Sequence, residues 1–301
     1  MTQNPQPIAN RLRSGLPFAL GAYFIWGLLP LYLHLLRGIH PFEFVGWRIV
    51  FTLPFCLLLV TISQEWQAVR RAITSPRTLA ILCASSVLIG INWLLYIWAI
   101  QRGHALAASL GYYINPLANV LAGTLFLGEK LGRRQWQSVM LAAIGVALLA
   151  FGALDMLYIS LSLAVSFSGY GLVRKVAPVE SLAGLTIETM LLFIPGILII
   201  AHYTQGTGGQ LTNAVAKIDP LLAASGIITA APLVMFATAA RRMDYSALGF
   251  VQFLSPTLVF ILGIFVFHEP LRPIQLGSFV LIWAAAALFV ADLLNRRRAN
   301  R

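Results

Sequence analysis

The chain has 301 residues, of which 59% are hydrophobic and 10% charged, with a formal net charge of +11. A soluble domain has roughly 45–50% apolar and about 25% charged residues, so this composition excludes a water-soluble surface. The cations lie between apolar runs, which favours membrane orientation over nucleic-acid binding as the reason for the basic balance.

Ten apolar runs are long enough to cross a bilayer. A span needs roughly 20 mostly apolar residues to cross about 30 Å of hydrocarbon, and helices are expected because an open strand in lipid leaves unpaired backbone groups. The runs are 16–36, 42–62, 78–100, 105–127, 133–151, 155–173, 182–201, 221–240, 246–267 and 274–294. The sequence therefore predicts an all-α integral membrane protein with ten transmembrane helices in a lipid bilayer.

The cations between these runs predict an orientation. Sixteen of the 21 Lys and Arg residues lie in the two tails and in every second loop, including Arg174 and Lys175 after the sixth run. Four lie in the remaining loops, and Arg48 lies within a span. Because cytoplasmic loops carry the excess of Lys and Arg, both termini are predicted to be cytoplasmic.

One stretch occurs twice at an offset of 140 residues, because 102–138 aligns on 242–278 without a gap. The identities include Arg102/Arg242, Pro116/Pro256, Gly123/Gly263, Glu129/Glu269, Leu131/Leu271, Gln135/Gln275 and Ser138/Ser278. Five spans per copy is an odd number, so the second copy must enter the membrane from the opposite face. We predict two inverted five-helix repeats, 1–151 and 152–301, an architecture of secondary transporters that hold substrate near the midplane.

Pro116 and Pro256 occupy equivalent places within the fourth and ninth spans. A proline inside a helix removes the hydrogen bond to the carbonyl four residues back, here that of Tyr112 and Gln252. In lipid a released carbonyl needs another partner or a wet cavity. We interpret the pair as helix kinks that line a transport path; a packing kink against a neighbouring helix is the alternative.

Arg48 and Glu188 are ionisable residues about six positions inside the second and seventh spans. Such groups are costly in hydrocarbon and usually face a cavity or a partner. The two spans run in opposite directions, which leaves roughly 12 Å of height between the residues, so we treat them as separate sites. Arg48 is a candidate substrate or gate contact, or caps carbonyls. Glu188 is a candidate proton carrier or a structural hydrogen-bonding group.

Aromatic and amide side chains near the prolines and in the third span suit a cavity for a small amphipathic organic molecule. Ordinary packing is the alternative for each of them. The candidates are Asn92, Trp93, Tyr96, Tyr112, Tyr113, Asn115 and Gln252. Glu129 and Glu269 follow the fourth and ninth spans, where we expect them to cap or pair.

Motifs for catalysis, cofactors and metals are absent from the sequence. Gly123 to Lys130 lacks the Gly-Lys-Ser/Thr order of a phosphate-binding loop, and the five histidines have no metal spacing. Cys56 and Cys83 lie within apolar runs and are expected to pack there. We predict a protein that is not an enzyme and has no cofactor, in which any uphill transport draws on an ion or substrate gradient; protons are a candidate coupling ion.

The repeated proline–glutamate pattern resembles the EamA family of the drug/metabolite transporter superfamily, and most closely its RarD-type branch. The resemblance covers nearly the whole chain and rests on five stretches. They are Gly21-Ala22-Tyr23-Phe24-Ile25-Trp26-Gly27, Asn92-Trp93-Leu94-Leu95-Tyr96-Ile97-Trp98-Ala99, Leu110-Gly111-Tyr112-Tyr113-Ile114-Asn115-Pro116, Gly128-Glu129 and Phe250-Val251-Gln252-Phe253. It implies a permease of the bacterial inner membrane, of a type associated with chloramphenicol sensitivity. The second copy departs from the first, with Ser255 for Asn115 and Pro232 for Asn92.

The sequence thus favours a secondary transporter that moves a small organic solute or drug by alternating access. An exporter of amino acids or related metabolites, a passive channel and a non-transporting membrane scaffold are the alternatives. An intramembrane enzyme is disfavoured. The solute, the direction, the coupling ion and the oligomeric state have no signal in the sequence.

Overall fold

The computed structural model describes residues 8–36, 39–102, 104–151, 154–206, 220–268 and 273–299. Within these ranges the chain is helical and has no strand. The helices are α1 (Ile8–Leu35), α2 (Pro41–Ile62), α3 (Trp66–Thr74), α4 (Pro76–Gln101), α5 (Ala105–Phe126), α6 (Arg133–Ala150), α7 (Leu157–Val176), α8 (Ser181–Gly206), α9 (Pro220–Arg242), α10 (Tyr245–Gln252), α11 (Leu254–Phe265) and α12 (Pro273–Ala299). A single 3₁₀ turn, Leu154–Met156, precedes α7.

Eight segments of the described chain are long and apolar enough to cross a membrane. Large apolar side chains face outward on these segments and on α5. Ile194 of α8 is 67% exposed and Phe126 of α5 is 74% exposed, as expected of a surface in contact with lipid rather than water. The prediction of an all-α integral membrane protein is confirmed. The helices α5 and α6 are more polar and lie outside these eight, so the count of ten spans stays a prediction.

Two elements differ from the sequence-based prediction. The loop after α2 contains the short helix α3, which buries Val69 and Ala72 and packs against α4 and α8. The ninth apolar run is two helices, because α10 ends at Gln252 and α11 begins at Leu254. The interruption coincides with the carbonyl that Pro256 leaves without a donor, whereas α5 continues through Pro116.

The bundle is organised by a small set of helix pairs. The helix α2 packs against α8, α6 against α12, and α5 against both α7 and α10. The helix α1 packs against α9, α10 and α11, while α4 packs against α7 and α8, and α9 against α2. The main cluster of buried apolar side chains draws on both halves of the chain, from α1, α2, α4, α5 and α6 and from α7, α8, α9, α10 and α12.

Small residues let these helices approach closely, as is usual between membrane helices. Gly226 of α9 lies so close to α2 that an added Cβ would collide with the Phe51 carbonyl group. Gly46 of α2 faces Gly196 of α8 in the same manner. Both contacts join the first half of the chain to the second.

Glu129, which follows α5, caps the N-terminus of α10. Its Oε1 accepts a hydrogen bond from the Tyr245 amide at 2.5 Å, and its Oε2 accepts from the Ser246 amide at 2.9 Å and the Ser246 hydroxyl at 2.6 Å. The first amides of a helix have no partner within it and attract negative charge. The prediction that Glu129 caps a helix is confirmed, and Glu269 lies outside the described residues.

Other residues of the repeated stretch also build helix ends and helix contacts. An added Cβ on Gly123 would collide with the Glu129 carboxylate. The Gln135 side chain accepts from the Gly132 amide at 2.9 Å and closes the start of α6. Ser138 donates to the carbonyl four residues back in α6, and Ser278 does the same in α12. Most of the repeated residues in the described chain therefore have structural roles at helix ends and helix contacts.

The Glu129 cap generates a prediction. We expect Glu129→Ala to lower the free energy of unfolding by about 2–3 kcal/mol, because it leaves two helix amides without their charged acceptor. Unfolding in detergent, followed by circular dichroism against denaturant, measures the change. Asp155→Ala removes an exposed carboxylate and is the matched control. Equal stability of the two variants would contradict the capping role.

Candidate functional site

A small cavity lies in the middle of the bundle, between α2, α4, α7, α8 and α9. Its volume is about 10 Å³, roughly what one water molecule needs. Residues from both halves of the chain line it. They are Ile49, Thr52, Ile89, Trp93, Tyr170, Leu185, Glu188, Thr189, Leu192 and Leu233. The sequence-predicted residues Trp93 and Glu188 thus meet at one cavity.

Arg48 lies beside this cavity on α2, next to the lining residue Ile49. Its guanidinium carbon stands 4.4 Å from the centroid of the Trp93 ring, a cation–π arrangement. Its Nε donates to the hydroxyl of Thr229 on α9 at 3.2 Å. The sequence analysis selected Arg48 and Trp93 separately, and the structure brings them together.

Glu188 lines the cavity itself and is 1% exposed. Its carboxylate faces Arg174 at 3.5 Å, accepts from the Tyr170 hydroxyl at 3.4 Å, and accepts from the Ser85 hydroxyl. The network joins α4, α7 and α8. These contacts favour the structural hydrogen-bonding alternative for Glu188 over the proton carrier.

The placement of Arg174 in a cation-rich loop was wrong. Arg174 lies in the last turn of α7, is 1% exposed, and donates from Nη2 to the Ser181 carbonyl at 2.8 Å. A cation directly after an apolar run reads as a loop charge, but the helix continues past it to Val176. Arg174 is thus a site residue that the sequence reasoning missed, as are Thr229, Tyr170 and Ser85.

Arg48 and Glu188 form separate sites, as predicted. Gly46 faces Gly196 where α2 and α8 cross. Because the two helices are expected to run in opposite directions, this pairing sets Glu188 roughly 9–12 Å along the axis from Arg48. Each residue has its own partners, Thr229 and Trp93 for the first and Arg174 for the second.

The helix α5 contributes a tyrosine and a buried amide. Tyr112 meets Tyr96 of α4 edge-on, with ring centroids 5.4 Å apart. Asn115 is fully buried, yet neither its Oδ1 nor its Nδ2 has a hydrogen-bond partner among the described residues. A buried amide without partners is costly, so this position has unused capacity to bind a polar group or a water molecule.

Gln252 stands at the interruption between α10 and α11. Its Oε1 accepts from Nδ2 of Asn119 on α5 at 2.8 Å. Gly249, one turn earlier on α10, lies against the Pro116 carbonyl. The two proline-bearing segments therefore contact each other directly, and this contact joins the two halves of the chain.

Two other candidates face neighbouring helices. Asn92 donates from Nδ2 to the Leu163 carbonyl at 3.0 Å and to the Ser166 hydroxyl at 2.9 Å, which ties α4 to α7. The Tyr113 ring lies edge-on to Phe279 of α12, with centroids 5.5 Å apart. These contacts favour packing for both residues, the alternative that the sequence left open.

A larger vestibule, of about 490 Å³, lies at the end of the bundle where α2 and α9 end and α8 begins. Charged residues of both signs line it, namely Glu65, Glu180, Arg241 and Arg242. Burial and the neighbouring Glu180 carboxylate raise the pKa of Glu65. Leu182 borders the vestibule and Leu185, one helical turn on, borders the inner cavity. The two spaces therefore follow each other along α8.

These features define a multi-pass integral membrane protein with charged and aromatic groups around an inner cavity. The model of the EamA-like transporter family matches residues 13–151. Protein RarD of Salmonella typhi is 41% identical over 96% of this chain and 99% of its own length. The chain therefore belongs to the EamA-like transporter family and is of the RarD type.

Two further comparisons extend the likeness. The chloramphenicol-sensitive protein RarD of Pseudomonas aeruginosa is 29% identical over 95% of this chain and 97% of its own length. A solved crystal structure aligns with a TM-score of 0.71 over 94% of this chain and 99% of the other chain. At 18% identity that structure supports the fold alone. The predicted family resemblance is confirmed.

The Arg174–Glu188 pair generates a prediction. We expect Glu188→Gln to lower the free energy of unfolding by about 3–5 kcal/mol, because it leaves a buried guanidinium uncompensated. Replacing both residues together, Arg174→Met with Glu188→Leu, is expected to recover most of that loss. Denaturant unfolding of the purified variants in detergent gives the three values.

Glu180→Gln is the control for this cycle. It breaks the ion pair with Arg241, in which the Glu180 side chain is 67% exposed, and exposed pairs contribute about 0–1 kcal/mol. If the double replacement cost as much stability as Glu188→Gln alone, or more, Arg174 and Glu188 would not act as a pair.

Proposed function

We propose that this chain is a secondary-active permease of the bacterial inner membrane that moves a small organic solute or drug by alternating access. The observation that carries the proposal is the inner cavity, which residues of both halves line, among them Glu188 and the Trp93 ring that Arg48 contacts. A permease holds its solute where two similar halves meet. The printed name of the Pseudomonas relative makes chloramphenicol a first compound to test.

The helix pairs support two repeats related by a pseudo-two-fold axis. If α1, α2, α4, α5 and α6 correspond to α7, α8, α9, the α10–α11 segment and α12, each main pair has a counterpart. The pair α5–α7 corresponds to α1 with α10–α11, α4–α7 to α1–α9, and α4–α8 to α2–α9. The pairs α2–α8, α6–α12 and α5–α10 correspond to themselves. Ten spans, five in each repeat, would make the repeats inverted.

Local geometry supports the same correspondence. Gly128 and His268 are equivalent at the offset of 140 residues, and both adopt a positive φ, 66° and 54°. A positive φ is uncommon for a residue other than glycine, so the turn after each proline-bearing span has one backbone form in both copies. Ser138 and Ser278 form equivalent hydrogen bonds as well.

The inner cavity must widen for transport. Sites for drug-sized molecules have roughly 300–1,000 Å³, whereas this cavity has about 10 Å³ and the vestibule next to it about 490 Å³. Leu182, Leu185, Leu233 and Val234 line the passage between the two spaces. We propose that the helices of the two repeats rock about the α5–α10 contact and open this passage.

The cation-rich loops place the vestibule on the cytoplasmic side in this proposal. Arg241 and Arg242 lie at the vestibule, and cytoplasmic loops carry the excess of cations. Both termini are then cytoplasmic, and the described conformation is the one whose larger space faces inward. Protons stay a candidate coupling ion, with Glu188 as the carboxylate to test.

The proposal predicts saturable transport that depends on Trp93. Purified protein in liposomes is expected to take up at least one compound of a drug and metabolite panel that includes chloramphenicol, with saturation and counterflow. Trp93→Ala is expected to lower that rate at least about 10-fold, because it removes a cavity wall and the ring beneath Arg48. Trp136→Ala, which changes a tryptophan 42% exposed on α6, is the matched control.

The alternatives give different results in this assay. Flux without saturation or counterflow would identify a passive channel. No flux for any compound, with no effect of Trp93→Ala on a cellular drug-sensitivity phenotype, would favour a scaffold. Uptake that a pH gradient drives in the native protein but not in Glu188→Gln would identify proton coupling.

A further inference from the structure

Arg48 is a cation in a membrane-spanning helix without a counter-ion in the described protein. Its Nε is satisfied by the Thr229 hydroxyl, and its face rests on the Trp93 ring. Within the described residues, no carboxylate lies within 4.0 Å of it, and its two terminal nitrogens have no hydrogen-bond acceptor. A guanidinium has five N–H donors, so four of them are unused here.

Arg174 provides the contrast. Its Nη2 donates to the Ser181 carbonyl, and its Nε and Nη1 have no hydrogen-bond partner among the described residues. The contrast lies in the counter-ion, because its guanidinium faces Glu188 at 3.5 Å. Around the inner cavity, two guanidiniums therefore share one carboxylate, and the positive charge left over is that of Arg48. The Thr229 hydroxyl and the Trp93 ring are neutral, so they offset only part of the free-energy cost of holding the Arg48 charge within the membrane-spanning bundle.

The unused nitrogens determine which chemical group would complete the site. The planar fork of a guanidinium matches the two oxygens of a carboxylate, phosphate or sulfonate and binds them in pairs. Such an anion would supply the missing charge and the missing acceptors together. A neutral solute would leave the charge uncompensated inside the closed protein.

Aromatic groups stand beside these nitrogens. The Trp93 ring lies against the Arg48 guanidinium and lines the inner cavity, and Tyr96, one turn further along α4, meets Tyr112 edge-on. Aromatic rings pack well against a planar apolar group, either edge-on or stacked. The surroundings of Arg48 therefore match an anionic group attached to a flat body.

We propose that the solute is an aromatic organic anion whose oxyanion binds the terminal nitrogens of Arg48. The inference rests on the proposed permease function and names the chemical class of its substrate. Thr229 orients the guanidinium through Nε, and Trp93 supports its face. Solutes with the same ring and a neutral or cationic group are poor substrates.

Matched compounds test the proposal in liposomes that contain the full-length protein. Benzenesulfonate and phenyl phosphate are the anions, benzenesulfonamide and benzamide the neutral counterparts, and benzylammonium the cation. We expect the native protein to take up the anions at least about 30-fold more efficiently than the others, the lower range for a buried charge pair. Arg48→Gln is expected to reduce the preference for anions over the other compounds to about 3-fold or less. Arg48→Lys is expected to retain part of this preference.

Thermal unfolding in detergent separates a binding role from a structural one. Without solute, Arg48→Gln is expected to unfold at the native temperature or above it, because it removes an uncompensated charge. Benzenesulfonate is expected to raise the unfolding temperature of the native protein and not that of the variant. Thr229→Val retains the charge but releases Nε and is expected to weaken the anion preference. Arg77→Gln, which changes an exposed arginine, is the control.

Each remaining outcome counts against a defined claim. Saturable uptake of neutral or cationic compounds in preference to anions would overturn the anion site and leave the permease proposal intact. An anion preference that persists in Arg48→Gln would overturn the role of Arg48. If the native protein neither transported nor bound any aromatic compound while it transported other solutes, the substrate class would be wrong. Absence of all transport would overturn both proposals.

Discussion

The cost of charge in a hydrocarbon core determines where this protein can place its polar groups. Water is scarce there, so a buried ion needs a partner of opposite sign or a full set of hydrogen bonds. Glu188 of α8 satisfies this requirement through Arg174 and Tyr170 of α7 and Ser85 of α4. The pair therefore fixes the helix positions on one side of the inner cavity.

Arg48 on the other side is incompletely paired, and this difference gives the cavity its chemistry. Arg174 has a counter-ion in Glu188, whereas Arg48 has none in the described protein and gains from any solute that supplies one. Asn115 is in a comparable state, because its buried amide has no partner in the described protein. Binding energy available at such groups is what could drive the helices from one packing to another.

The repeated sequence motif has a mechanical explanation. Glu129 belongs to the first half but caps α10 of the second, while Gln135 closes the start of α6. The helix α10 is thus held at its N-terminus by a carboxylate and contacts Pro116 through Gly249, three residues before it ends. A short helix fixed at both ends can tilt as a unit, and this would suit a rocking motion between halves.

The sequence predicted the helices well, because long apolar runs without charge leave few alternatives in a membrane. It predicted the polar centre only in part. Arg48 and Glu188 were recognisable because a charged side chain inside an apolar span is energetically costly. Arg174 was not recognisable, because a cation at the end of an apolar run resembles a loop charge. Which neighbour Asn92 or Tyr113 would face was beyond prediction, since a helix that is apolar on all sides has no periodic signal for its faces. The pairing of Arg48 with Trp93 depends on how α2 and α4 pack, which no local pattern encodes.

The central claim is that two similar halves lie inverted in the membrane around the inner cavity. Cysteine labelling tests it most directly, in a functional background with Cys56→Ser and Cys83→Ser. Single cysteines are introduced as Lys130→Cys and Arg272→Cys, and intact cells are treated with a membrane-impermeant maleimide. The account predicts that Arg272→Cys is labelled from outside and Lys130→Cys only after the membrane is opened. Labelling of both positions from the same face would contradict the inverted repeat and the alternating-access proposal built on it.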